Sequence, residues 1–341
     1  LRVARLYSYN DIRIEEQPIP NVGPFDALLK TKVCGICSGD VMKWYIEKKA
    51  PLVLGHEISG EIVDVGNEVT SFKVHNRVFV HHHAPCFSCK HCRQGNYVHC
   101  ETWKSSNIIP GGISEYILIP KINLENDTLL LPDNISFEDG ALIEPTACVV
   151  KSLKRARIKK GDIVLVIGLG VMGQIHVLLS KYYGAEMVIG VDRVRFRLEK
   201  AKELGADEVI DVSQNDLIKS IKNITQDYMA DIVIVCPNSI DAIKQGISAA
   251  GAGGNVIIFT PAMPEDLLTI SPNYLYFNDI SIITSYSCGP SDTIDALELI
   301  EKGVINSKLL ITHRFTIEDT KEAFRITAEA KDSLKCIITF N

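Results

Sequence analysis

Residues 163–167 read Ile-Val-Leu-Val-Ile and run directly into Gly168-Leu169-Gly170-Val171-Met172-Gly173. A short unbroken apolar run bounded by turn residues predicts a strand buried on both faces. The spacing G-x-G-x-x-G is weak alone. Placed after such a strand and before the helical stretch 171–183, it predicts the first βα turn of a dinucleotide-binding fold. Gly168 permits the tight turn, Gly170 lets backbone approach a pyrophosphate, and Gly173 lets the helix pack close to the strand. Val171 and Met172 open the helix, where free N–H groups and the helix dipole favour an anion.

Asp192 closes the next apolar run, 19 residues after Gly173. A carboxylate there suits both ribose hydroxyls of NAD and repels a 2′-phosphate. Arg193 and Arg197 suit holding that phosphate, so NAD is expected and NADP stays open. Further apolar runs at 208–210, 231–235, 255–259 and 281–284 alternate with helical patterns. That alternation predicts βαβ units and a doubly wound parallel sheet, an α/β fold, over residues 151–286. Residues 1–150 differ, with short apolar runs broken by Gly, Pro, Asn and Asp, which predicts an irregular β-rich domain. Residues 287–341 carry helical patterns at 291–302 and 317–330 and an apolar ending at 335–340, expected to return to the first domain. A chain of 341 residues is long enough for about two domains.

Four of the ten cysteines lie within 15 residues, as Cys86-x2-Cys89-x2-Cys92-x7-Cys100. Four thiolates at these spacings can close a tetrahedron around one Zn²⁺ and leave no open position, so the site would be structural. An iron–sulfur cluster is the rival, because it also takes four cysteines. Lys90, Arg93 and Lys104 lie near enough in sequence to offset the negative charge. The formal net charge of −6 gives no electrostatic footprint for nucleic acid or an anionic membrane. No run of 18 apolar residues is present, and Leu1 to Arg5 lack the apolar core of a signal peptide. A cytoplasmic protein with reduced cysteines is expected.

Cys37, His56, Glu57 and Glu144 each have an ordinary reading alone, as a core thiol, a satisfied polar ring or a solvated acid. Together with their surroundings they resemble the zinc-containing medium-chain dehydrogenases. The landmarks are G-I-C at 35–37, G-H-E-x-x-G at 55–60, the cysteine lobe at 86–100 and Pro110-Gly111-Gly112-Ile113-Ser114-Glu115-Tyr116. Glu144-Pro145, the glycine turn, Ala201-Lys202-Glu203-Leu204-Gly205-Ala206-Asp207, the stretch 309–315 and Glu322-Ala323-Phe324 continue the resemblance through nearly the whole chain. It implies a GroES-like catalytic domain over 1–150, a Rossmann domain over 151–286, and a return segment over 287–341 that completes the catalytic domain. It also implies two zinc ions per chain, the catalytic one held by Cys37, His56 and Glu144, with Glu57 a fourth or alternating ligand. One sulfur, one nitrogen and carboxylate oxygen leave room for water or substrate. Zn²⁺ so held lowers the pKa of an alcohol, which gives hydride to the nicotinamide. Glutamate at 144 is similar to the polyol and threonine dehydrogenase branches and implies a polar secondary-alcohol substrate: a polyol, sugar or amino alcohol.

Two positions depart from the family pattern. Relatives place Ser or Thr where this chain has Gly39, and many place His where it has Met42, so the usual proton relay is missing. His82 or His83, from the triplet ahead of the cysteine lobe, is expected to take the proton, with His82 placed first. Cys34 is expected to face the core. The resemblance further implies a homodimer or homotetramer, with the edge at 281–286 as candidate interface. The rival functions are a dehydrogenase of simple primary alcohols, and a non-catalytic regulatory protein that keeps both zinc and coenzyme.

Overall fold

Six parallel strands form one sheet in the order Glu208–Asp211, Met187–Asp192, Ile163–Ile167, Ala230–Val235, Ala250–Ile258, Ser281–Thr284. The first strand in sequence therefore lies in the middle, and the order reverses beside it, which is the doubly wound arrangement. Ile163–Ile167 pairs on both sides, with Val166 opposite Gly190 and Ile234. Its side chains are buried on both faces, which accounts for its continuous apolar sequence. The strand expected at 255–259 starts earlier, at Ala250, with a register shift opposite Ala230 to Ile232. Gly253, at φ +78, accommodates the irregularity. The helix Val171–Tyr182 follows the glycine turn.

The computed structural model describes residues 1–341, and the chain divides into two units. One is continuous, Cys148–Ser287, and contains the parallel sheet. The other joins Leu1–Ala147 to Cys288–Asn341. Its seven-stranded sheet runs Ile311–Phe315, Lys335–Thr339, Ala27–Gly35, Glu57–Val65, Arg77–His81, Thr128–Leu130, with Tyr116–Ile119 also on Ala27–Gly35. A smaller sheet joins Asp11–Glu16, Arg2–Ser8 and Leu52–Val53. The last strand pairs antiparallel with the third, Ile337 opposite Gly35. Each unit has its own core: one includes Leu29, Ile58, Ile62, Val80, Ile117 and Ile338, the other Leu165, Ile189, Val233 and Val256. No helix is long and apolar enough to cross a membrane.

Candidate active site and metal centres

The cysteine lobe carries the short helices Lys90–Arg93 and Glu101–Ser105. Its sulfurs stand 3.5 Å apart for Cys89 and Cys92, 3.6 Å for Cys86 and Cys100, and 4.0 Å for Cys86 and Cys92. Zn–S bonds of about 2.3 Å put the corners of a tetrahedron about 3.8 Å apart, so the four sulfurs fit one zinc. The acidities point the same way. The Ser88 hydroxyl, with backbone N–H groups, pulls Cys86 down to about 5. Burial and the adjoining sulfurs push Cys92 up to about 12. Four thiolates cannot coexist here without a cation among them. Lys104 is paired with Glu101 at 2.8 Å, and the Arg93 guanidinium donates to the Ser88 carbonyl. Trp103 closes the lobe's small core with Val98.

The second cluster joins the end of one strand to the start of another. Cys37 follows Ala27–Gly35, while His56 directly precedes the strand Glu57–Val65 that Glu57 begins. The ligand atoms of Cys37, His56 and Glu57 lie within 4.8 Å of one another. Cys37 Sγ accepts the Gly39 N–H at 3.3 Å. Asp40, buried, brings Oδ2 to 3.4 Å from His56 Nδ1, close enough for its charge to act on the ring without a hydrogen bond between them. Burial works against a charge on His56, yet Asp40 and Cys37 raise its pKa well above the ordinary value. Surroundings this anionic suit a cation. Glu57 is already engaged: both carboxylate oxygens lie 2.7 Å from Lys335 Nζ, which also donates to the Ile36 carbonyl at 3.1 Å. For Glu57 to ligate a metal, it must share an oxygen with this buried ion pair. Cys34 is buried in the main core.

Glu144, at the start of Ile143–Ala156, groups with His81 and Cys288, their ligand atoms within 4.8 Å of one another. Its charge also acts on His56. The histidine triplet ends the strand Arg77–His81, and its three rings have different surroundings. His81 is buried, with Nδ1 2.7 Å from Asp127 Oδ2. His82 faces His56 at a ring separation of 4.8 Å and has a shielded Nδ1 with no partner. His83 donates from Nδ1 to the Ser106 carbonyl at 2.6 Å and lies 4.4 Å from the Trp103 ring. Burial holds the His83 pKa at about 4. Burial, then the charges of His56, His83 and His81, puts that of His82 well below the ordinary value. A Cβ on Gly39 would meet Cys37 Sγ at 3.5 Å, an ordinary contact, so packing does not forbid a hydroxyl residue there.

At the glycine turn, Gly168 has φ +86, and an added Cβ would lie 2.8 Å from Pro237. A Cβ on Gly173 would strike the Gly168 carbonyl oxygen at 2.0 Å. Gly170 is different, since a Cβ would meet nothing nearer than the Arg197 guanidinium at 3.9 Å. The turn itself does not require that glycine, whereas a phosphate seated against the backbone does. Asp192 accepts N–H groups of Leu169 at 2.7 Å, Arg193 at 2.7 Å and Val194 at 2.9 Å. A carboxylate has about four acceptor positions, so about one is left for a ribose hydroxyl rather than a full set for two. Arg197 stands 3.7 Å away and partly offsets the charge, and Arg193 is exposed beside it.

Comparison with known proteins agrees with this geometry. The alcohol dehydrogenase GroES-like domain matches residues 23–130, and the zinc-binding dehydrogenase family matches residues 171–302. A sorbitol dehydrogenase of Halalkalibacterium halodurans is 31% identical over 334 residues, 96% of this chain and 95% of that protein. The chain belongs to the zinc-containing medium-chain dehydrogenase/reductase family. An L-idonate 5-dehydrogenase of Vitis vinifera is 32% identical, over 99% of this chain and 94% of that protein. The crystal structure of a zinc-binding dehydrogenase from Sinorhizobium meliloti 1021 bound to NADP superposes with a TM-score of 0.89 at 26% identity, covering 99% of each chain. Zinc and a nicotinamide coenzyme are the groups this family uses.

Sequence reasoning passed over five residues of this dehydrogenase: Asp40, His81, Asp127, Cys288 and Lys335. His81 ends the strand Arg77–His81, where a lone histidine carries no metal-ligand spacing to mark it. Cys288 directly precedes Gly289-Pro290, a helix-start signal, and could have been flagged as a thiol at an element boundary. Asp127 and Lys335 carry no local signal.

Proposed function

We propose that this dehydrogenase transfers hydride between a polar secondary alcohol of the polyol class and NAD, using zinc held by Cys37, His56 and Glu144. The observation that carries the reading is the pairing of the Cys37 sulfur with the His56 imidazole within 4.8 Å, with the charge of Glu144 acting on His56, a mixed donor set that leaves room for a substrate oxygen. The sorbitol and L-idonate in the relatives' names are polyhydroxylated, which supports the polar class. When bound, zinc lowers the pKa of the substrate alcohol and the nicotinamide takes up the hydride.

The chain's own residues position and deprotonate. Asp40 sets a negative charge beside His56. His82, kept neutral by burial and its cationic neighbours, offers an uncommitted ring nitrogen to the alcohol proton, in place of the hydroxyl absent at Gly39. His83, fixed by the Ser106 carbonyl and by Trp103, packs 4.0 Å from the His82 ring and holds it in place. One observation favours NADP as a second coenzyme reading, the placing of Arg197 and the exposed Arg193 about an Asp192 with little acceptor capacity left. The reading includes a cytoplasmic location, and a homo-oligomer joined at Ser281–Thr284, a sheet edge paired on one side only.

Reduced nicotinamide formation, followed against polyols, sugars, amino alcohols and simple primary alcohols with each coenzyme, tests the proposal. Polyols with NAD should give the highest kcat/KM, and Cys37→Ser should abolish turnover while the fold persists. Asp192→Ala should weaken NAD and admit NADP. Preference for primary alcohols, or turnover that survives Cys37→Ser, would sink the substrate or the zinc assignment respectively.

A further inference from the structure

We propose that His81, Glu144 and Cys288 hold a divalent metal ion of the zinc class at a position of their own, beside the one defined by Cys37 and His56. The proposal goes beyond the zinc-dependent reading above and meets it only at Glu144, whose two carboxylate oxygens allow one toward each ion.

Three elements converge to build the triad. His81 ends the strand Arg77–His81, Glu144 stands in the first turn of Ile143–Ala156, and Cys288 comes just before Pro290–Glu301. His81 and Cys288 are fully buried and Glu144 is 5% exposed. Their ligand atoms lie within 4.8 Å of one another, and His81 Nε2 is 3.8 Å from Cys288 Sγ. Tetrahedral zinc with one nitrogen and one sulfur ligand sets those atoms about 3.6 Å apart. Sulfur, imidazole and carboxylate together suit zinc or cobalt, not magnesium or calcium, which take oxygen ligands.

The outer groups are those that orient a metal-bound imidazole. Asp127 Oδ2 lies 2.7 Å from His81 Nδ1, so Nδ1 carries the proton and the Nε2 lone pair is turned toward the sulfur. The other oxygen, Asp127 Oδ1, accepts the Thr293 hydroxyl at 2.7 Å, which locks the carboxylate. Charge argues in the same direction. The Asp127 and Glu144 carboxylates and the Cys288 thiol are each buried, and buried anions persist where a cation or a hydrogen-bonded proton balances them. Lys335, the buried ammonium whose field reaches Glu144, is already committed to Glu57 at 2.7 Å. The rival arrangement is metal-free, with the Cys288 thiol donating to His81 Nε2.

The test is metal content of the full-length protein, grown with zinc, dialysed, and measured by elemental analysis. Wild type should hold three zinc ions per chain: in the cysteine lobe, at Cys37 and His56, and at the triad. Cys288→Ser and His81→Gln should each hold one fewer, and Cys37→Ser should lose a different one while keeping the triad ion. After cobalt substitution, Cys288→Ser should lose part of the thiolate-to-cobalt absorption. Two ions in wild type would overturn the proposal, a result that depends on no variant folding. So would three ions unchanged in both triad variants. If wild type holds three ions, Cys288→Ser loses one and Cys37→Ser loses none, the zinc assignment at Cys37 fails and the triad site stands. If wild type holds two ions and Cys37→Ser holds one, the reverse is true.

Discussion

His82 differs from its neighbours in the triplet by a shielded ring nitrogen that meets no partner, in a ring facing His56. A group that relays a proton contributes about 10²–10⁴-fold to rate. His82→Ala should therefore lower turnover by about 10²-fold or more while zinc content and coenzyme affinity hold. Wild-type turnover in that variant would make the ring a bystander. His176, in the coenzyme-binding unit, is set by different surroundings. It is buried, with Nδ1 2.8 Å from the Met172 carbonyl and Nε2 3.0 Å from the Ser152 hydroxyl. Burial lowers its pKa from 6.5 to about 4. Between those values the unfolded chain binds more protons than the folded one, so stability rises with pH there. His176 costs nothing above about pH 6.5, and its penalty grows as pH falls toward about 4. Between about pH 5 and about pH 7.5 the difference is on the order of 2 kcal/mol. His176→Gln should flatten the pH dependence of unfolding by that amount. An identical slope in wild type and variant would show that the ring does not stay neutral in the fold.

At the scale of elements, the return strand Lys335–Thr339 is tied in by backbone pairing and by one buried ion pair. Lys335 and Glu57 are each 1% exposed at the side chain, and they are 278 residues apart in sequence. Removing one partner leaves the other as an uncompensated buried charge, which costs about 3–5 kcal/mol. Lys335→Met should destabilise the unit by that order, and adding Glu57→Gln should recover most of it. Denaturant unfolding of the single and double variants measures both. A loss below about 1 kcal/mol in the single variant would mean that Glu57 has another partner or takes up a proton at small cost. In the lobe, Cys89→Ser should remove one zinc and lower stability without changing coenzyme binding, because a closed metal site contributes folding free energy. Coenzyme affinity falling in step with zinc content would contradict that separation.

For the whole molecule, the two units differ in how the chain builds them. Cys148–Ser287 is one continuous segment with its own core, while the other unit needs residues from both ends of the chain. Residues 148–287 expressed alone should fold and show dispersed amide resonances, whereas residues 1–147 alone should not, lacking the strand that pairs with Ala27–Gly35. Dispersed spectra from 1–147 would contradict this account of the return segment. The parallel sheet was legible in sequence because its signals are local. An apolar strand, a glycine turn and a helix follow one another within residues 163–182, and the later strands alternate with helices in the same way. The closeness of the four cysteines of the lobe was legible for the same reason, as was that of Cys37, His56 and Glu57, whereas Glu144 groups with His81 and Cys288. The immediate partners of the site were not. His81 meets Cys288 across 207 residues and Asp127 across 46. Glu57 meets a lysine near the far end of the chain, and Asp192 accepts three backbone N–H groups, one of them from Leu169 across 23 residues. Local spacing determines which residues can begin a strand, turn a phosphate loop or cage a metal within one segment. Which buried charge faces which is decided only when distant segments pack, because that pairing depends on burial and charge balance, which no short window of sequence contains.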